Sequence, residues 1–202
     1  LWAPIKHAEA CKREGIPAKR ALLLEGPYGT GKTLTAKKTA QLCVEHGRTF
    51  LYVERPEDFR RSIKIAAQYS PACLFMEDCD QIMQEHDGAI ANILDGVDTK
   101  DLDLVLVLTT NHSDRIHRVF LRPGRLDAAI NFEPPNRESV MELFRVYGKG
   151  NIGDRVDLAA AAEVMAGHIP AVIREVVERA KLTALVSSGG QSAALTTEAL
   201  LV

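Results

Sequence analysis

The residues Gly26-Pro-Tyr-Gly-Thr-Gly-Lys-Thr33 have the types and spacing needed to hold a phosphate chain. They fit the pattern G-x-x-x-x-G-K-[ST], placed directly after an apolar run and directly before a helix-like stretch, the context that gives the pattern meaning. Glycine lets the backbone pass close to phosphate oxygens with amide N–H groups turned inward. The start of the following helix adds positive potential. In this frame Pro27, Tyr28, Gly29, Thr30, Gly31, Lys32, Thr33 and Leu34 surround the phosphates. Lys32 reaches the β- and γ-groups, and the Thr33 hydroxyl ligates Mg²⁺.

A second group of chemistry-bearing residues lies about 45 positions further on. Ala72-Cys-Leu-Phe-Met-Glu77-Asp78 is an apolar run that ends in two carboxylates. At the carboxyl end of a strand, where α/β sheets place their ligands, one acid can serve Mg²⁺ and the other can orient or deprotonate an attacking water. Taken alone, the pair would also suit a solvated turn; the phosphate loop upstream favours the site.

Such residues need a frame. Ala21–Leu24, Phe50–Val53, Cys73–Met76, Leu104–Leu108 and Ala128–Phe132 are short apolar runs of the kind buried strands show. Amphipathic stretches separate them, among them Thr33–Val44, which stops at Gly47. Alternation of strand and helix predicts a doubly wound, mostly parallel five-stranded α/β sheet covered on both faces. The pattern changes at Pro134-Pro135. Beyond it, Asn136 can cap a helix reaching about Tyr147, Asp157 an alanine-rich one, Pro170 can open a third, and a short one starts near Thr196. The expected domains are therefore 1–134, nucleotide-binding, and 135–202, a small helical lid.

Bulk properties narrow the function. The chain has 202 residues, a formal charge of −2 and 46% hydrophobic residues, so it can bury a true core and carries no global basic field for nucleic acid. No apolar run approaches the roughly 20 residues of a membrane span. Cys11, Cys43, Cys73 and Cys79 lack paired metal-ligand spacing, so free thiols in a reducing cytoplasm are expected. The chain starts at Leu1, which suggests an excised fragment.

At this point the chain resembles the AAA ATPases over essentially all its length. LLLEGPYGTGKT looks like the family's first strand and Walker A loop, and CLFMEDCD like its Walker B strand. VLVLTTNH looks like the strand of the first sensor, which puts that role on Asn111; RVFLRPGRLD puts the trans-acting arginines on Arg122 and Arg125. The stretch VDLAAAAEVMAGHIPAVIREVVERAKLTAL looks like the helical lid. The resemblance implies ATP and Mg²⁺ as ligands, hydrolysis with Glu77, Asp78, Asn111, Arg122 and Arg125 taking part, and Thr33 and Glu77 serving the metal. It also implies a homo-oligomeric ring, a hexamer, acting on a protein substrate or partner. An arginine at a subunit boundary stabilises charge on a neighbour's γ-phosphate. Nothing in the chain obviously pairs with both arginines, although Asp127 is close in sequence and could neutralise Arg125.

Four departures from the family pattern bear on function. The usual Asp-Glu order is inverted to Glu77-Asp78, so by position Glu77 serves the metal and Asp78 the water. Asp is one methylene shorter, and a misplacement near 1 Å can cost about 100-fold, so the inversion bears on hydrolysis more than on binding. The segment Val53–Arg60 lacks the aromatic–apolar–Gly loop of threading members. Gly167-His-Ile-Pro-Ala171 stands where relatives carry a second-sensor Arg or a Gly-Ala pair; Pro170 and Ala171 are assigned to the nucleotide site, with Arg174 a solvated helix residue and His168 a structural lid residue. Trp2, Ile5 and Ile16 are candidates for the adenine pocket. Two functions compete: an ATP-hydrolysing motor or remodeller, and an assembly switch that binds ATP with little or no hydrolysis.

Overall fold

The structure, a computed structural model, describes residues 1–83, 88–95, 102–116, 118, 120–122, 124–153, 156–191 and 194–201. In chain order the elements are α1 (Ala3–Lys6), α2 (Ala8–Arg13), β1 (Arg20–Glu25), α3 (Lys32–Glu45), β2 (Thr49–Val53), α4 (Phe59–Gln68), β3 (Ala72–Met76), α5 (Asp80–Met83), α6 (Gly88–Asp95), β4 (Leu104–Thr110), β5 (Ala128–Asn131), α7 (Arg137–Gly148), α8 (Leu158–Met165), α9 (Pro170–Ser187) and α10 (Thr197–Leu200). Two compact units emerge: residues 1–26 with 32–132, and residues 133–202 with the loop 27–31.

In the first unit the five expected strands form one sheet in the order β2-β3-β4-β1-β5. Every pairing is parallel. Strand alternation sends Leu22, Leu24, Cys73, Phe75, Val105 and Val107 to one face, where Ile5, Ala36 and Leu42 cover them. Ala21, Leu23, Leu74, Met76, Leu106 and Leu108 go to the other, against Phe59, Ile63, Ile90 and Leu94. Both faces are buried, which is why these strands are continuous apolar runs rather than alternating ones. Each fully buried Leu is worth about 1.5–3 kcal/mol against exposure.

Because all strands run the same way, β1, β3 and β4 end on the same edge of the sheet. The sheet thereby brings together the start of the glycine loop, the Glu77-Asp78 pair and Asn111. Register places Glu25 opposite Thr110 and Met76 opposite Leu108.

The second unit packs Val140, Phe144, Ala161, Ala162, Ile173, Val177 and Ala180 into its own core. Its helices start where local chemistry directs. Asn136 Oδ1 accepts from the Ser139 N–H at 2.9 Å, and Asp157 Oδ1 accepts from Ala159 and Ala160. Pro170 occupies the first turn of α9, and Thr196 Oγ1 accepts from the Ala199 N–H.

Among the adenine-pocket candidates, Ile5 is buried in the sheet core, and Trp2 donates through Nε1 to Thr39 Oγ1 at 3.0 Å. Ile16 is 40% exposed and lines a cleft of 390 Å³ with Arg20 and Asp103. Those two residues sit at the amino ends of β1 and β4, the edge opposite the loop, so Ile16 is displaced from the expected role.

All four cysteines are free; Cys43, Cys73 and Cys79 are buried and Cys11 is partly exposed. A hydrogen bond with Cys43 and burial push the Cys73 thiol up, burial raises Cys79, and the bond to Cys73 lowers Cys43. Thiolate attack needs access as well as ionisation. In the folded protein a maleimide should therefore label Cys11 first, and all four cysteines after unfolding without reductant, counted by mass spectrometry. A disulfide in protein prepared without oxidant would contradict this.

Candidate functional site

The glycine loop is built by local constraint. Gly29 has φ +75°, and a Cβ there would stand 2.9 Å from Ile169 Cδ1 and 3.0 Å from the Ala171 Cβ. Gly31 has φ +107° with open space where a side chain would be. Both conformations are accessible to glycine and costly for other residues. The Thr30 hydroxyl donates to the Pro27 carbonyl at 2.8 Å, closing the loop on itself. The Ala171 N–H donates to the Gly29 carbonyl at 3.3 Å, so Ala171 and the adjoining Ile169 contact the loop itself. Tyr28 and Leu34 are exposed, Pro170 half-buried and Ala171 exposed.

Lys32 opens α3 and is 6% exposed. Its Nζ donates to the Gly26 carbonyl at 2.7 Å. Burial lowers its pKa, while the negative charges of Asp78 and then Glu77 raise it. An ammonium withdrawn from water and set near two carboxylates is suited to gain a further anionic partner. Thr33 is exposed on the first turn of the same helix.

The acidic pair is held by long-range contacts. Asp78 has φ +51°, a region where Asp is tolerated better than longer acids. Its Oδ1 accepts from Asn111 Nδ2 at 2.8 Å. The neighbouring strand ends are stitched together. The Cys79 N–H donates to the Thr109 carbonyl at 2.8 Å, and the Thr110 hydroxyl donates to the buried Asp80 Oδ1 at 3.0 Å. The His112 N–H donates back to Thr110 Oγ1 at 2.9 Å. Asp80 and Thr110 thus anchor both sides of the Asp78–Asn111 contact. Sequence reading missed them, since a buried Asp–Thr pair 30 positions apart leaves no local signal.

Glu77 Oε2 accepts from the Tyr52 hydroxyl at 2.8 Å. Burial first, then the hydrogen bond and charge of Glu77, push the Tyr52 phenol up to about 12. Tyr52 is a third residue that sequence reading missed.

The two arginines differ. Arg125 pairs with Asp95 through two parallel bonds, Nε to Oδ1 and Nη2 to Oδ2, each 2.8 Å. Its carboxylate partner is Asp95 rather than the nearer-in-sequence Asp127. Asp127 Oδ1 instead accepts from Arg20 Nη1 at 2.6 Å, and its Oδ2 accepts from the Ala21 N–H. Asp95 comes from α6, 30 positions away, and draws Arg125 to only 12% side-chain exposure. Arg122 is exposed; its carbonyl accepts from the Arg125 N–H at 3.2 Å, and, after the Arg125 hydrogen bond, its charge helps to lower the Asp95 carboxyl pKa. Val119 and Pro123 of the same segment lie outside the described residues.

In the second unit Arg174 sits exposed on α9 beside Glu178 at 3.5 Å, and His168 is exposed. Val53–Arg60 leaves β2 through a short 3-10 turn, Pro56–Asp58, with Arg55 and Glu57 exposed.

Thr33 and Glu77 carry oxygen donors of the kind Mg²⁺ accepts. No group of three or more His, Cys, Asp or Glu suited to a metal occurs among the described residues.

Residues 22–134 match the ATPase family associated with various cellular activities (AAA). The chain is 30% identical to a cell division cycle protein 48 homolog of Archaeoglobus fulgidus, over 90% of this chain and 28% of the relative. It is 30% identical to a 26S proteasome regulatory subunit 8 homolog of Schizosaccharomyces pombe, over 90% of this chain and 51% of the relative. An Arabidopsis thaliana 26S proteasome regulatory subunit 8 homolog B is 32% identical, over 90% of this chain and 49% of the relative. The chain therefore spans about half the length of these relatives or less. No helix among the described residues is long and apolar enough to cross a membrane.

Proposed function

The chain belongs to the AAA family of ATPases, and on that premise we propose that it binds ATP with Mg²⁺ and hydrolyses it as one subunit of a homo-oligomeric ring, a hexamer, that works on a protein partner in the cytoplasm. The observation that carries this reading is the buried Lys32 ammonium beside the Glu77-Asp78 pair, with Asp78 bonded to Asn111. Lys32 exchanges its Gly26 carbonyl partner for phosphate oxygens. The amides of the loop bind the remaining phosphate oxygens, and Pro170 and Ala171 support the nucleotide. Thr33 and Glu77 hold Mg²⁺, which when bound neutralises charge on the β- and γ-phosphates. Asp78 orients and deprotonates the attacking water, and Asn111 fixes the carboxylate that does so. A neighbour's Arg122 completes the site by stabilising charge on the γ-phosphate. The bond to Asp95 favours Arg125 as a support of that segment, with Arg122 as the group that reaches across.

The inverted Glu77-Asp78 order favours a second reading, an assembly switch that binds ATP and rarely turns it over. Phosphate release at several protein concentrations separates the two. A switch binds nucleotide without release at any concentration; an ATPase completed in trans gains specific activity as concentration rises.

The binding step has its own test. Lys32→Ala should weaken ATP at least tenfold while the fold is kept, because the ammonium contributes charge toward phosphate and its removal relieves a burial cost. Nucleotide titration and circular dichroism of both proteins check it. Equal affinities in two folded proteins would exclude the phosphate-loop assignment.

A further inference from the structure

The inverted acid order leaves a mechanical problem at Glu77. A Glu has one more rotatable bond than the Asp usual at this place, so its carboxylate is harder to hold still for a metal. Parallel pairing of β2 and β3 sets Tyr52 opposite Phe75. Side chains two apart share a face, so Phe75 and Glu77 point the same way. The Tyr52 ring stacks on Phe75, with centroids 6.3 Å apart and planes 16° apart. Phe75 is fully buried and also neighbours Phe50, two residues before Tyr52 on β2, with centroids 6.4 Å apart. Tyr52 is 47% exposed, so this stack holds one side of its ring against the sheet while the hydroxyl donates to Glu77 Oε2 at 2.8 Å.

We propose that Tyr52 is a positioning residue for the metal side of the site: it tethers the longer Glu77 carboxylate by one oxygen, so that the other serves Mg²⁺. This rests on the ATP–Mg²⁺ reading above. Tyr52 does not touch substrate in this scheme; it acts only through Glu77. A tyrosine suits the task because two torsions place its hydroxyl, and both are restrained by stacking on the core.

The test measures binding rather than turnover. The full chain is titrated with a fluorescent N-methylanthraniloyl ATP, first in excess EDTA and then across a Mg²⁺ series. Tyr52→Phe keeps the ring and removes the donor. The expected result is unchanged affinity in EDTA and a roughly three- to tenfold rise in half-saturating Mg²⁺, the order of one ordinary hydrogen bond at a solvent-exposed position. In a Glu77→Asp background, where the carboxylate is too short to meet the hydroxyl, Tyr52→Phe should add no further loss. An unchanged or lower Mg²⁺ requirement in Tyr52→Phe would overturn the proposal, as would equal weakening with and without Mg²⁺, or additive losses in the double variant. If the wild-type protein binds no nucleotide in either condition, the ATPase reading fails and this proposal with it. Mg²⁺-dependent binding by the wild type, with Tyr52→Phe unmoved, refutes the Tyr52 assignment alone.

Discussion

Arg122→Ala is expected to depress turnover on the order of 10³-fold or more, with ATP affinity changed much less. The reason is where the charge sits. Arg125 is held by two bonds to Asp95, whereas Arg122 is exposed on the same segment. A guanidinium presented at the surface makes chemical sense if a neighbouring subunit supplies its anion, and a head-to-tail contact that closes makes a ring. Mixing gives the decisive measurement. Arg122→Ala subunits keep an intact phosphate loop, and Lys32→Ala subunits keep an intact arginine. Mixed, some interfaces pair one with the other, and activity should exceed the sum of the two separate variants. If no ratio restores turnover while both variants assemble and exchange subunits, the trans-arginine model is wrong and the assembly-switch reading moves ahead. The roles of the two arginines are separable too. Exchanging the charges of Asp95 and Arg125 should recover activity lost in either single substitution if Arg125 is a support, and should not if Arg125 itself meets the phosphate.

Asp78→Asn should allow ATP binding and lower turnover by about 10²- to 10⁴-fold, the usual worth of a positioned general base. The substitution isolates chemistry from folding. Asn tolerates the positive φ found at this residue as well as Asp does, so the backbone is not asked to move. Glu77→Gln should behave differently, weakening nucleotide binding only when Mg²⁺ is present, since its assigned partner is the metal. Single-turnover phosphate release on pre-bound ATP, alongside a Mg²⁺ titration, reads both effects. Should Asp78→Asn release phosphate at the wild-type rate, the roles are reversed and Glu77 becomes the base. The hydrogen bonds set the two acids apart, since Asn111, the proposed sensor, bonds Asp78 while Glu77 is held by Tyr52.

Much of this molecule is legible without coordinates, for physical reasons that are local. Five apolar runs of strand length, each bounded by polar residues, became β1 to β5 within one or two residues of the expected ends. Asn136, Asp157, Pro170 and Thr196 started the four helices of the second unit, because a cap or a fixed φ acts on neighbours within a turn. The glycine loop is likewise a contiguous signal. What the sequence left open were choices among distant partners. Arg125 had Asp127 two residues away, yet it joins Asp95; Asp127 is engaged at the start of β1. Glu77 meets Tyr52 and Asp78 meets Asn111 only because the order β2-β3-β4 makes those strands neighbours. The 27 carboxylates and 25 Lys and Arg side chains allow many alternative pairings. Strand order and register decide which of them meet, and that decision is made by the packing of the whole sheet rather than by any short stretch of chain.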